Sequence, residues 1–190
     1  GQYNTAVGYQ AGTALAGGNG GNVFIGSYAG KAVTTSAGNT AVGKDALYYN
    51  TTGTTNTALG DSALESNTTA SNNTSVGNAA LFANTTGTQN VAVGALALDA
   101  NTTAANNTAV GYASLGGNTT GTANVAVGAY SLDANTTTSN ITAVGYAALS
   151  ANTTGSYNTA LGYNTLELAT TADNNVAVGR QALQATTTGT

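Results

Sequence analysis

The sequence predicts an all-β chain, folded as a parallel β-solenoid (a β-roll or β-helix) of about eleven 17-residue coils. An aliphatic residue precedes a glycine that recurs through the whole chain, and in nine coils leucine follows that glycine four residues later. A short unit copied in series, with its apolar positions in phase, is typical of a stacked repeat and not of a disordered linker. The first interval is 18 residues and the other nine are 17, which gives repeat glycines at Gly8, Gly26, Gly43, Gly60, Gly77, Gly94, Gly111, Gly128, Gly145, Gly162 and Gly179.

The unit is too small to fold by itself. One coil buries two or three aliphatic side chains, each worth roughly 1.5–3 kcal/mol. Ordering its backbone costs about 1–2 kcal/mol per residue. Stacking at a spacing of about 4.8 Å pairs each strand with the coils above and below it and joins the apolar positions into ladders. We therefore expect one continuous stack.

The first element of each coil is the segment Asn-Thr-Ala-Val before the repeat glycine, seen first at residues 4–7. Its period-two alternation and β-branched residues predict a strand. We expect Thr or Val and the following Val to face the coil interior. The alanine between them would then lie on the other side, either at a tight corner or where another copy of the chain packs. The predicted valine ladder is Val42, Val76, Val93, Val110, Val127, Val144 and Val178.

The second element is the Ala-Leu pair after the glycine, where we expect a corner followed by a short second strand. Its leucines are in phase and form the second predicted core ladder. They are Leu47, Leu64, Leu81, Leu98, Leu115, Leu132, Leu149, Leu166 and Leu183.

Asparagine forms two further ladders, one before the strand and one opening the turn Asn-Thr-Thr-Gly/Ala. Stacked amides hydrogen-bond along an axis, and asparagine tolerates turn conformations, so we interpret both ladders as structural. Asn-Thr-Thr also matches the N-glycosylation acceptor pattern, as do residues 140–142. Such matches arise freely in a chain this rich in Asn and Thr.

The first coils are less regular than the others. We divide the chain into irregular N-terminal coils at 1–38 and a regular array at 39–190. Gly12 and Gly30 stand where later coils have leucine, Phe24 replaces the strand alanine, and residues 17–21 are rich in glycine. Either a looser terminal coil or a junction explains this, since terminal repeats are commonly atypical.

Composition excludes several classes of function. The formal net charge is −4 and only three residues are basic, so the chain lacks the basic surface that binding to nucleic acid requires. No apolar run approaches the roughly 20 residues that cross a bilayer, so we expect no membrane insertion. The chain contains no His or Cys, and no base lies beside its many hydroxyls. We therefore expect no catalytic site, no metal site and no cofactor.

Four acids recur every 34 residues, in alternate coils. They would lie roughly 10 Å apart, too far for two carboxylates to share a metal. These acids form either a solvated edge of the solenoid or a row of cation sites. The acids are Glu65, Asp99, Asp133 and Glu167.

The unit Asn-Thr-Ala-Val-Gly-x-x-Ala-Leu resembles the repeats of trimeric autotransporter adhesin heads. It is more similar still to the Asn-Thr-Ala-Val-Gly-Tyr-x-Ala-Leu arrays of phage and phage-like tail fibres, many of which end in an endosialidase-type intramolecular chaperone. Residues 111–115 and 145–149 carry the resemblance best, and it covers all eleven coils. It implies a parallel β-roll, three chains side by side, and an extracellular stalk or receptor-binding fibre. The 17-residue period is longer than the usual adhesin-head coil.

We therefore expect an extracellular structural fibre or adhesin shaft, on a virion or a cell surface, that assembles as a homo-oligomer, with a trimer favoured. Residues 1–4 are in phase with residues 155–158, so we also expect end-to-end continuation into further repeats. A cell-surface glycan or protein receptor would contact exposed tyrosines, since tyrosine suits both. The candidates are Tyr112, Tyr146 and Tyr163, although packing along the strand edge explains each of them equally well.

A ligand-binding solenoid is the alternative, for instance an ice-binding face made of threonine ladders. The pairs at 85–86, 102–103, 119–120 and 136–137 motivate it. Adjacent threonines in a strand point to opposite faces, so a two-column array would need a special turn.

Overall fold

The computed structural model describes residues 3–16 and 20–189 and confirms the all-β parallel solenoid. Residues 1–2, 17–19 and 190 lie outside the described residues, and with them part of the glycine-rich stretch and part of the segment in phase with residues 155–158. Each coil contributes one three-residue strand. The strands are β1 Thr5–Val7, β2 Val23–Ile25, β3 Thr40–Val42, β4 Thr57–Leu59, β5 Thr74–Val76, β6 Val91–Val93, β7 Thr108–Val110, β8 Val125–Val127, β9 Thr142–Val144, β10 Thr159–Leu161 and β11 Val176–Val178.

The eleven strands form one parallel sheet in chain order, β1 to β11. Equivalent residues pair throughout, so Ala41 lies between Phe24 and Ala58 in neighbouring strands. The 18-residue first interval does not shift this register, because Ala6 still pairs with Phe24. The sequence repeat is therefore also the structural repeat.

The predicted second strand around Ala-Leu is wrong, because that segment is a run of turns in every described coil. In the third coil, Asp45 and Leu47 both have φ of 55°, in the left-handed region. The N–H of Asp45 donates to Ser27 O in the preceding coil, and the N–H of Leu47 donates to Ala63 O in the following coil. Alternating left-handed residues thus direct backbone donors to both neighbouring coils without forming a strand.

The predicted orientation of the strand is also wrong. The central alanine faces the interior and is fully buried in Ala41, Ala92 and Ala126, whereas the flanking Thr or Val residues lie on the outer face. The valine ladder Val42, Val76, Val93, Val110, Val127 and Val144 is half-buried, and Val178 is exposed. The alanine row therefore offers no surface to another copy.

The leucine ladder is the core. The leucines from Leu47 to Leu166 are fully buried, and Leu183, in the last coil, is 49% exposed. They pack with the strand alanines and with a second alanine row that includes Ala46 and Ala63. A leucine at the turn leaves room only for a small residue at the strand, and this explains why alanine and not valine points inward.

In the first coils the large and small core residues exchange places between the strand and the turn. Phe24 is fully buried at the strand position that alanine holds elsewhere. A Cβ atom added at Gly30 would lie 2.6 Å from the Phe24 ring, and one at Gly12 would lie 2.9 Å from it. Glycine at the leucine position thus makes room for phenylalanine at the strand position, so this substitution is a size exchange within one core.

Both asparagine ladders are buried inside the coils. In the ladder before the strand, Asn39 Oδ1 accepts from the Asn56 N–H at 2.9 Å. In the ladder at the turn, Asn67 Nδ2 donates to Asn50 Oδ1 at 2.8 Å. Each contact is repeated in the following coils, until Ile141 replaces asparagine in the ladder before the strand, so hydrogen bonds run along the axis inside the solenoid.

Candidate functional surfaces

The outer sheet face consists of the two outward residues of each strand, and it is uncharged in all eleven coils. Its columns hold only Thr, Val, Ile and Leu. Ile25 and Leu59 are 40% exposed and Leu161 is 47% exposed, although all three lie within the stack. A continuous apolar column of this length on a free surface is unusual for a monomeric protein.

Polar and charged residues border this face. Directly after the repeat glycine, Lys44, Asp61 and Asn78 are exposed. On the other side, Asn72 and Gln89 are exposed two residues before their strands. An apolar centre with a polar rim is the usual anatomy of a protein–protein interface.

A tyrosine ladder lies on the corner beside this face. The ring centroids of Tyr112 and Tyr130 are 5.3 Å apart, those of Tyr130 and Tyr146 are 6.0 Å apart, and those of Tyr146 and Tyr163 are 5.4 Å apart. The four side chains are 40–47% exposed. The guanidinium of Arg180 lies 5.7 Å from the Tyr163 ring centroid and continues the ladder into the next coil.

The sequence prediction found three of these four tyrosines and missed Tyr130. The structure brings Tyr112, Tyr146 and Tyr163 to equivalent positions directly after the repeat glycine, and Tyr130 stands one position later in its coil. A search for aromatic residues at either of the two positions after the glycine would have found it. Tyr130 joins Tyr112 to Tyr146, so the ladder is continuous only because of it.

A second aromatic cluster lies in the first coils. Tyr9 and Tyr28 pack edge-on at 5.3 Å between centroids, and Tyr28 contacts Tyr48 at 6.0 Å. Lys31 Nζ donates to the Tyr48 hydroxyl at 2.9 Å and lies 4.8 Å from the Tyr28 ring centroid. The hydrogen bond to Tyr48 raises the pKa of the Lys31 ammonium above its ordinary value. Lys31 is therefore held within the aromatic cluster as a cation.

The four recurring acids are all half-buried. In the described part of the chain, no group of three or more acidic side chains comes together in a geometry that would hold an ion. Asp99 and Asp133 are half-buried, and desolvation by burial raises the pKa of both carboxyls above their ordinary value, against weaker lowering by backbone hydrogen bonds. Glu167 accepts from Asn164 Nδ2 at 2.8 Å and from Gln184 Nε2 at 2.6 Å.

Threonine forms two adjacent columns at the turn. The structure has bends there and no strand, and both residues of each pair reach the surface. Thr85 and Thr102 are half-buried, while Thr86 and Thr103 are exposed. The special turn that a two-column array requires is therefore present.

The Asn-Thr-Thr asparagines are not available as glycosylation acceptors in the folded coil. All seven side chains are fully buried, and their amide nitrogens are hydrogen-bonded, as in Asn84 Nδ2 to Gly87 O at 3.0 Å. Asn140, in the other acceptor pattern, is exposed.

The described segments, 3–16 and 20–189, include no helix with the length and hydropathy needed to span a membrane. Comparisons with protein-family models, with curated proteins and with solved structures gave no significant match to this chain.

Proposed function

We propose that this chain is a structural shaft of an extracellular fibre or adhesin, whose copies pack side by side through the outer sheet face. One observation carries the proposal. The outward positions of eleven successive strands hold only Thr, Val, Ile and Leu, and charged residues stand only outside this face, from its rim onward. In this proposal the chain is a scaffold, is not an enzyme and needs no cofactor.

A second copy fits this face in chemistry and in spacing. Its side chains repeat along the axis at the strand spacing of about 4.8 Å, and a partner with the same repeat interdigitates with them over the whole length. Eleven three-residue strands present a surface about 50 Å long and about 10 Å wide, or roughly 500 Å². A standard interface buries about 800 Å² per partner.

One such face is therefore at the low end for a stable pair. In a closed arrangement of three chains, each copy contacts two neighbours, which increases the buried area per chain. The resemblance of the repeat to trimeric adhesin heads and tail fibres also supports an assembly of three chains. We therefore favour a trimer.

The tyrosine ladder is our candidate for receptor contact on this shaft. Its rings lie beside the outer sheet face, on the border of the proposed interface, and remain 40–47% exposed. Tyrosine combines an apolar ring with a hydroxyl group, and it is enriched where one protein contacts another molecule. The rings also pack against one another, so part of their role is structural.

Native mass measurement of purified protein tests the proposed assembly. The wild-type chain of 18.4 kDa should give a multiple of that mass, with three chains favoured. The double variant Val93→Asp/Val110→Asp places charges in the centre of the face and should give single chains. The matched control Thr86→Asp/Thr103→Asp, at exposed positions outside the strands, should keep the wild-type mass. A wild-type monomer at every concentration, or equal masses for both variants, would refute this assembly.

A further inference from the structure

The two threonine columns are the most regular surface of the solenoid. In ten successive coils, from residues 34–35 to residues 187–188, the same two positions both hold threonine. All the threonines of the outer column are exposed. The exposed positions around the tyrosine ladder, in contrast, vary among Tyr, Ala, Ser, Asn and charged residues. A surface position that never varies across ten copies needs an explanation.

The inner column has a structural role that also fixes its geometry. In eight coils the hydroxyl of the inner threonine donates to the carbonyl of the equivalent threonine in the next coil, as in Thr85 Oγ1 to Thr102 O at 3.0 Å. These bonds hold the inner side chains in one repeated orientation. Each carbonyl also accepts the backbone N–H of the inner threonine, as in Thr85 N to Thr102 O at 2.8 Å.

The outer column has no such role. The hydroxyls of Thr86, Thr103 and Thr120 make no hydrogen bond to any described residue, and their side chains project into solvent. Because no side-chain hydrogen bond within the coil requires threonine at these positions, their role lies at the surface.

The turn beneath both columns is braced from inside. The carbonyl that follows the outer threonine accepts two asparagine amides, as Gly87 O does from Asn73 at 2.9 Å and from Asn84 at 3.0 Å. The same pair of bonds recurs at Ala70, Ala104 and Gly121. The array is thus preorganised before any ligand arrives, which reduces the entropy that binding costs.

We propose that the two threonine columns form an ice-binding surface. They present hydroxyl and methyl groups on a lattice with an axial repeat of about 4.8 Å over about 40 Å of rod. Oxygen atoms in the surface planes of ice repeat with a similar spacing. Each of the ten coils contributes one threonine pair, and the ten pairs therefore hold ordered water at lattice positions. The fixed inner threonines keep these pairs aligned.

The chemistry of the array favours a lattice over other ligands. No charged residue stands in either column, so a polyanion or polycation gains nothing there. A flexible polymer loses conformational entropy at every rung that it contacts, whereas a crystal surface is already ordered. The threonine pairs lie in bends outside the strands and share no residue with the outer sheet face, so the inference does not depend on the proposed assembly.

Thermal hysteresis and ice shaping, measured on the wild-type protein as purified, test the inference. We expect a freezing-point gap and faceted crystals. The double variant Thr103→Lys/Thr120→Lys should lose at least half of the hysteresis, while Asn78→Lys, an exposed position outside the columns, should retain it. Equal circular dichroism spectra and melting temperatures would establish that both variants are folded.

Three results would overturn the inference. The first is no hysteresis at millimolar concentration. The second is hysteresis that the two threonine substitutions leave unchanged. The third is binding to a crystalline polysaccharide such as microcrystalline cellulose without any effect on ice, which would assign the surface to a carbohydrate lattice instead.

Discussion

The side-chain amides of Asn56 and Asn67 donate to the same backbone carbonyl, that of Ala70, at 2.8 Å and 3.0 Å. Each amide belongs to one of the two buried ladders, so the ladders meet at this carbonyl. The Asn67 amide also donates to Asn50 Oδ1 in the preceding coil. One turn is thus fixed from two sides and along the axis, and this recurring arrangement holds coils whose strands are only three residues long.

Removing one amide from the ladder before the strand should destabilise the stack. Asn107 Oδ1 accepts from the Asn124 N–H at 3.0 Å, so Asn107→Ala leaves that buried donor without a partner. We expect a loss of about 1–3 kcal/mol in the free energy of unfolding. Chemical denaturation measures it, with Asn78→Ala, at an exposed side chain, as the control. Equal midpoints for the two variants would show that the ladder contributes nothing.

Extending the ladder at the turn should stabilise the protein. Asn152 Oδ1 is buried without a partner, and the next coil has Ala169 where seven earlier coils have asparagine. In Ala169→Asn the new amide reaches both Asn152 Oδ1 and Ala172 O, so we expect a gain of about 1 kcal/mol in the free energy of unfolding. Ala151→Asn, at a half-buried neighbouring position, should give no gain. A thermal melt that ranks these two variants the other way would contradict the ladder geometry.

The orientation of the strand predicts an asymmetric response to added volume. Ala92 is fully buried, so Ala92→Leu overpacks the core and should cost about 1–3 kcal/mol. Val93 lies on the outer face, and Val93→Leu should change the free energy of unfolding by less than about 0.5 kcal/mol. Denaturation midpoints check both variants. A destabilised Val93→Leu beside a tolerated Ala92→Leu would restore the orientation predicted from the sequence.

The size exchange at Phe24 predicts a rescue. Phe24→Ala should cost about 3–5 kcal/mol because it leaves a cavity between the first coils. Gly30 has φ of 58°, close to the 55° of Leu47 at the equivalent position, so leucine fits that backbone. The double variant Phe24→Ala/Gly30→Leu should therefore recover much of the loss. Additive effects in a double-mutant cycle would show that the two positions do not share one core site.

The half-buried acids predict a particular dependence on pH. Burial raises the pKa of Asp99 in the folded state, so its charge opposes folding at pH values above that pKa. As the pH falls through the folded-state pKa, the native carboxyl is protonated first and this penalty disappears. We therefore expect Asp99→Asn to be more stable than wild type at neutral pH and to lose that advantage in acid. An advantage that grows as the pH falls would contradict the burial, and the exposed Asp61→Asn serves as the control.

The repeat length, the parallel stacking and the leucine and asparagine ladders were predictable from the sequence, because each depends on spacing alone. The orientation of the strand was not. Thr-Ala-Val alternates equally well with either face inward, and burial usually favours valine over alanine. In the structure alanine faces inward, because Leu98 and its equivalents already fill the coil interior. The left-handed conformation of the core leucines could not be predicted from the sequence pattern either, because leucine rarely adopts that conformation.

For the candidate sites, the sequence identified three members of the tyrosine ladder and the threonine pairs. It missed Tyr130, which stands one position out of phase. It placed the threonine pairs at the turn but could not establish that this turn exposes both residues of a pair. Exposure of both required bends that the asparagine amides support from inside, and that support depends on side-chain hydrogen bonds between coils. Spacing alone does not reveal such bonds.

A cryo-EM reconstruction of the assembled particle tests most directly the central claim, that copies meet through the outer sheet face. We expect stacked coils with an axial repeat of about 4.8 Å, and contacts between copies formed by the outward Thr, Val and Leu residues of β3 to β10. An assembly that leaves those residues in solvent and joins copies through the threonine columns would contradict the claim, as would a single chain folded as a compact globule.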